Sequence, residues 1–271
     1  YLRRDDTNSR DEKNLRGKLA WQIAGDWQAT VSGLYADFQN GYDAWAIDNG
    51  SNTYSDKPGD DSQKTGGASV KLTGSIGPAV DFVSITSYAA SDIVFSYDAD
   101  WGNNDGYWGD YVYDYFSRTD RERNSLTQEF RFQSSEDGRV FGGSTDWLIG
   151  LHGRELDEKS DSSLVGFYDD SVDGPGAFCP GGCDEKTRLK SDYDSASLAV
   201  FGKLDSALSE HWQLTAGLRF ERWEADYSDT FFDYVYAPGM PVSNAFEPKE
   251  NMWGGDLTLS YALTDTSNLY G

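Results

Sequence analysis

The chain has 271 residues and a formal net charge of −23, which excludes nucleic acid or a bare anionic lipid surface as a partner, because both would repel it. Aromatic residues make up 15% of it, with 17 Tyr, 14 Phe and 9 Trp beside 29 Gly and only 7 Pro, an inventory of strands and turns that reads as all-β. No stretch approaches the roughly 18 consecutive apolar residues of a membrane helix. The mean hydropathy of −0.65 does not exclude a transmembrane barrel, in which lipid-facing and lumen-facing residues alternate and the long loops are polar.

In chain order, the first predicted hairpin turns at Gly25-Asp26. Leu15, Gly17, Leu19, Trp21 and Ile23 share one face before it, and Trp27, Ala29, Val31, Gly33 and Tyr35 share that face after it. Arg16, Lys18, Gln22, Gln28, Thr30 and Ser32 take the other face. The second turn, Gly77-Pro78, follows Ala68, Val70, Leu72, Gly74 and Ile76, with Lys71, Thr73 and Ser75 opposite. The run after it, through Phe82, Ile85 and Tyr88, alternates less cleanly.

The third hairpin pairs Leu126, Gln128, Phe130 and Phe132 with Trp147, Ile149 and Leu151 across a connection from Ser134 to Thr145, so that Glu129 and Arg131 face inward. The fourth pairs Ala196, Leu198, Val200, Gly202 and Leu204 with Trp212, Leu214, Ala216, Leu218 and Phe220 across the short link from Ala207 to Glu210. A fifth begins with Trp253, Gly255, Leu257, Leu259 and Tyr261 and turns near Thr264-Asp265, giving nine strands and the start of a tenth. Tyr1-Leu2-Arg3-Arg4 carries no secretion signal and Asn268-Leu269-Tyr270-Gly271 stops as a strand begins, so the chain reads as an excised piece.

Between the short turns the expected loops run over Asn40 to Thr65, Asp98 to Arg118, Asp157 to Asp192 and Tyr227 to Lys249. Short connections on one side and long ones on the other, joined by long alternating strands, are the pattern of a membrane barrel; a soluble sandwich has shorter strands and more frequent turns. Trp27, Trp147 and Trp212 each open the strand leaving a short turn, on the aliphatic face, where an aromatic girdle would lie. Core tryptophans of a soluble sandwich are the competing reading.

Four stretches carry a resemblance. Ala199-Val200-Phe201-Gly202-Lys203-Leu204 with Trp212-Gln213-Leu214-Thr215-Ala216-Gly217-Leu218-Arg219-Phe220-Glu221 resembles the strand-turn-strand of the TonB-dependent outer-membrane receptor barrel. So do Asn52-Thr53-Tyr54-Ser55-Asp56-Lys57-Pro58-Gly59, Thr127 to Phe132 followed by Trp147-Leu148-Ile149-Gly150, and the terminal Asn268-Leu269-Tyr270-Gly271. These are barrel-packing motifs, so they speak to architecture and not to substrate. The resemblance implies residues 1–271 to be part of one barrel domain of about 22 strands whose N-terminal plug lies outside this stretch. It implies an integral protein of the Gram-negative outer membrane, in contact with lipid and lipopolysaccharide, that meets TonB and imports a scarce ligand such as an iron–siderophore complex. The alternatives are uptake of a carbohydrate or another small ligand, a passive porin-like barrel, and a secreted carbohydrate-binding β-sandwich. No enzyme activity and no cofactor is expected.

The loop Asp98 to Arg118 is the candidate ligand site. Trp101, Tyr107, Trp108, Tyr111, Tyr113, Tyr115 and Phe116 stand there among five aspartates. Aromatic faces stack on flat ligands or sugars and attract cations, and carboxylates accept hydrogen bonds; packing of loop against loop would account for the same residues. Acidic residues outnumber basic ones in all four long loops, which favours a neutral or cationic ligand over a strongly anionic chelate.

Cys179 and Cys183, with no histidine near them for a closed zinc site, are expected to form a disulfide in an oxidising compartment. Asp169, Ser171, Asp173 and Gly174 mimic the start of a calcium loop, but Pro180 stands where that register requires Glu. No metal site is assigned. His152 and His211 lack a nucleophile–base pattern and read as structural. Arg16, Arg131 and Arg219 face the lumen beside Glu129 and Glu221, where cross-strand ion pairs or plug contacts are expected.

Overall fold

Period-two alternation becomes strand after strand in the computed structural model of the chain, which describes residues 6–46, 48–102, 111–264 and 266–271. The strands are β1 (Glu12–Ala24), β2 (Trp27–Tyr42), β3 (Gly59–Ile76), β4 (Val80–Asp98), β5 (Val112–Ser134), β6 (Thr145–Asp169), β7 (Cys183–Ala207), β8 (Trp212–Asp233), β9 (Val242–Phe246), β10 (Lys249–Thr264) and β11 (Ser267–Tyr270). They form one antiparallel sheet in sequence order, with β9 pairing to β8 beside the main path. The β9 and β10 ladders on β8 continue one another, from Tyr227↔Phe246 to Glu224↔Lys249. Pro248 breaks them because it has no N–H to give the ladder, and only its carbonyl is used, by the Ala225 N–H at 3.0 Å.

The turns fall where the alternation requires them. Gly77 opens the β3–β4 turn at φ 69°, a backbone region that other residues enter at a cost. The β5–β6 connection contains a single 3-10 turn, Glu136–Gly138, and the Trp147 Nε1 donates to the Gly138 carbonyl at 2.9 Å, tying the indole to the turn. Trp27 lies across Gly74, where any Cβ would strike its ring, and its centroid is 6.0 Å from that of Phe82. Trp212 packs on Tyr261 at 4.7 Å. All these rings lie on the aliphatic side of the sheet near the short turns.

That side is not covered. Leu218 is 71% and Trp253 78% exposed, and the buried apolar side chains among the described residues are four alanines and Cys179. A β-sandwich would bury such a face against a second sheet about 10 Å away; the described residues form one layer. In water a contiguous apolar face of this extent is a liability, and in lipid it is the condition of stability. The fold is therefore a sector of a transmembrane barrel.

Two expectations are corrected and one open register is filled in. The strands run well past the loop limits read from the sequence: the ladders reach Tyr42↔Gly59, Asp98↔Phe116, Tyr168↔Cys183 and Thr187↔Asp233. Beyond the bilayer both faces of a strand meet water, so polar residues on both sides keep the ladder and erase the alternation. At 25 residues, β6 and β7 far exceed the roughly 9–11 that cross a membrane. Second, the run that alternates less cleanly in the sequence keeps a regular register: Ile85 pairs with Lys71 and Glu129 on the lumen side, while Phe82 and Tyr88 face outward. Third, two of the three lumen arginines pair along their own strands: Arg219 meets Glu221 at 2.8 Å and Arg131 meets Glu129, each two residues apart and so on the same face. Arg219 also lies 5.8 Å from the centre of the Phe201 ring.

Candidate ligand-binding site

At the long-loop end, the β4–β5 hairpin is built around two carboxylates. Asp98, 5% exposed, accepts the backbone N–H groups of Asp56 at 3.0 Å, Lys57 at 3.4 Å and Asp100 at 3.3 Å. Asp100, 8% exposed, accepts those of Gly102 at 2.9 Å and Tyr115 at 2.6 Å. Buried carboxylates need such donors. Together they staple the segment before β3 to the hairpin, and Gly59 allows the close approach, since a Cβ there would lie 1.8 Å from the Ser96 carbonyl oxygen. Lys57 closes the arrangement by an ion pair with Asp114. Burial pushes the Asp100 carboxyl up to about 6 against the pull of the Tyr115 N–H, with Asp98 adding repulsion.

Trp101 sits at φ 60° on the bend after the staple and stacks on Trp45, with centroids 5.3 Å apart and planes within 12°. Tyr113 pairs with Tyr168 across β5 and β6, ring centres 5.0 Å apart. Tyr115 lies over Gly166, which has no side chain to obstruct it. Ala99, Asp100, Trp101, Tyr113 and Tyr115 enclose a cleft of about 320 Å³. By alternation Tyr113 and Tyr115 share the face of Glu129 and Arg131, so the cleft opens above the lumen.

Of the residues singled out in the sequence, Trp101, Tyr113 and Tyr115 are brought together. Tyr111 stands beside them, 6.4 Å from Tyr113, and its hydroxyl donates to Asp173 at 2.7 Å, reaching the connection between β6 and β7. Tyr107 and Trp108 lie outside the described residues. Phe116 alternates to the outer face and takes no part. Trp45 and Tyr168 were not singled out; Trp45 lies in another long loop, and Tyr168 is recognised only when β6 is seen to continue past Asp157.

Cys179 and Cys183 are joined by a disulfide, with Cα atoms 5.5 Å apart, at the start of β7. Asp170 organises the same loop by accepting the N–H groups of Phe178 at 2.8 Å and Cys179 at 2.7 Å. In the stretch that mimics a calcium loop, Asp169 is turned onto the Ser171 N–H and hydroxyl, and Asp173 onto Tyr111. No group of three or more His, Cys, Asp or Glu side chains placed to hold a metal occurs among the described residues.

A single-layered antiparallel sheet with an apolar outer face, charged lumen residues and a stapled aromatic vestibule defines a segment of a large outer-membrane-type barrel. The family model of the TonB dependent receptor-like β-barrel matches residues 1–271, and the chain belongs to that family.

Among solved structures, the ferric yersiniabactin uptake receptor FyuA of Yersinia pestis superimposes with a TM-score of 0.71 at 15% identity, over 96% of this chain and 37% of that one. The siderophore receptor PiuA of Acinetobacter baumannii gives 0.62 at 12% identity, over 96% and 41%. The ferric-catecholate import receptor Fiu of E. coli K12, in its open form, gives 0.64 at 13% identity, over 98% and 47%. The chain thus spans less than half the length of these receptors, and at such identities the likeness is one of fold. No curated protein sequence matches the chain.

Proposed function

We propose that this chain is part of an outer-membrane receptor that captures a scarce ligand, an iron–siderophore complex, in its extracellular vestibule and releases it inward when TonB acts on a plug held in the lumen. The observation that carries the reading is the 320 Å³ cleft of Trp101, Tyr113 and Tyr115 above the lumen with Asp100 in its wall. Flat rings bind a chelate or its organic arms by stacking, and a cleft of about 300 Å³ or more is the size that small-molecule sites use. The similar solved receptors, by their names, take up ferric yersiniabactin, a siderophore and ferric catecholate.

The acidic surroundings favour a neutral or cationic complex, such as a ferric hydroxamate, over a strongly anionic one. Stacked aromatics beside carboxylates suit a sugar equally well, so carbohydrate uptake is the second reading. The outer face would be set in lipid and lipopolysaccharide. In a strain lacking the gene, uptake of radioactive iron from a cationic ferric trihydroxamate should fall and be restored by the full-length gene only when TonB is present. Unchanged iron uptake together with lost growth on one sugar would transfer the assignment to carbohydrate.

A further inference from the structure

A second, much smaller recess lies beside the cleft and shares Trp101 with it. The rings of Tyr42, Trp45, Tyr97 and Trp101 line it, together with Asp43, Ser55 and Asp98. Its volume is about 10 Å³, the room of one water molecule or one ammonium group.

The polar groups in this recess are not balanced. Ser55 is 8% exposed and its hydroxyl has, among the described residues, no hydrogen-bond partner, which a folded protein tolerates only at a cost. Asp98 is met by three backbone N–H groups and, among the described residues, by no cationic side chain. Asp43 is met by two hydroxyls, those of Thr7 and Thr53, both at 2.6 Å and both on the same oxygen, Oδ2. Close by, the Lys57 ammonium is taken up by its ion pair with Asp114, with Asp56 beside it. A water molecule would satisfy the Ser55 hydroxyl and leave the two carboxylates uncompensated. A cation satisfies all three, and aromatic faces within about 6 Å attract it further.

We infer that this recess binds a monovalent cation of ammonium size, held by Ser55, Asp43 and Asp98 inside the ring of Tyr42, Trp45, Tyr97 and Trp101. The volume excludes a guanidinium or a quaternary ammonium. Two sources supply this chemistry: a free ion, or the primary ammonium arm of a ligand whose body lies in the neighbouring cleft. The second source rests on the cleft being the ligand's seat; the recess itself does not.

The test is a titration of the full-length receptor in detergent with methylammonium chloride at constant ionic strength, followed by tryptophan fluorescence, with tetramethylammonium chloride as the oversized control. Saturable binding of methylammonium, at least tenfold tighter than tetramethylammonium and lost in Ser55→Val, whose added bulk fills the recess and leaves both carboxylates, is the expected result. Asp43→Asn, close in shape to the parent, should weaken binding at least tenfold. An equal response to both cations, or unchanged affinity in both variants, overturns the inference.

Titration with 2-phenylethylammonium then separates the sources. Tighter binding than methylammonium, with the gain abolished in Tyr113→Ala, identifies the ammonium arm of a larger ligand. Equal binding of the two identifies a free ion, which upholds the recess while counting against the cleft.

Discussion

Arg219 and Glu221 hold each other at 2.8 Å on one face of β8, while Leu218, the residue before Arg219, stands 71% exposed on the other. The strand therefore has one side that must be wet or paired and one that must not be.

Leu218→Arg should accordingly destabilise the full-length receptor in bilayers by about 2–4 kcal/mol, the cost of a cation near the bilayer midplane. Gln213→Arg, on the lumen face of the same strand, should change stability by about 1 kcal/mol or less. Urea unfolding in lipid vesicles reads both, and a larger loss for Gln213→Arg would reverse the two faces.

The Asp100 carboxyl gives the β4–β5 loop a pH dependence of known sign. Its folded-state pKa, pushed up to about 6, lies above the ordinary carboxyl value of 3.8, so between these values the folded loop holds a proton that the opened loop has lost. The charged form costs stability above about 6, and stability from this group rises as pH falls from there towards 3.8. After correction for intrinsic exchange, the amide of Tyr115 should be better protected at pH 5 than at pH 7. Asp100→Asn should remove that difference; a difference of opposite sign would mean that the carboxylate is held charged.

Reduction of the Cys179–Cys183 disulfide should act locally. Closing so short a ring constrains the opened chain by roughly 2 kcal/mol in the entropy model, and the bridge sits in a loop while the ladders of β6 and β7 run on below it. Thermal unfolding of the barrel should be unchanged within a degree or so, and hydrogen exchange should rise only over residues 170–182. A broad loss of barrel stability on reduction would contradict this.

Salt should discriminate among ligands. Attraction of a cationic chelate to the acidic vestibule should weaken as the Debye length shrinks from about 10 Å at 0.1 M to about 3 Å at 1 M, whereas a neutral chelate should respond little. Calorimetric titration of both at the two salt concentrations measures it, and cationic binding that strengthens with salt would refute the role given to the carboxylates.

The barrel was legible in the sequence because the bilayer imposes period two: Leu214, Ala216, Leu218 and Phe220 could face only one way. The pattern fails where that constraint ends. Above the membrane Asp157, Glu158, Lys159 and Ser160 continue β6 with polar residues on both faces, which reads as loop. The run through Ile85 alternates less cleanly because a single apolar residue stands on the lumen face, opposite Lys71 and Glu129. Of the site, the aromatic wealth around Trp101 and Tyr113 could be read directly, but their partners Trp45 and Tyr168 are 56 and 55 residues away along the chain, the first brought in by a neighbouring loop and the second by strand register. Pairing along a strand, as in Arg219 with Glu221, was hidden because i and i+2 share a face whichever strand stands opposite.

Binding of a cationic ferric trihydroxamate to the full-length receptor, compared among the parent, Trp101→Ala and Tyr113→Ala, addresses the vestibule most directly. Each substitution removes a stacking surface worth about 0.5–1.5 kcal/mol, so affinity should fall by roughly threefold to tenfold in each, with the barrel still folded. Tight binding of a trianionic ferric tris-catecholate, unaffected by either substitution and lost when lumen arginines are replaced, would contradict a ligand seat built from Trp101, Tyr113 and their carboxylate neighbours.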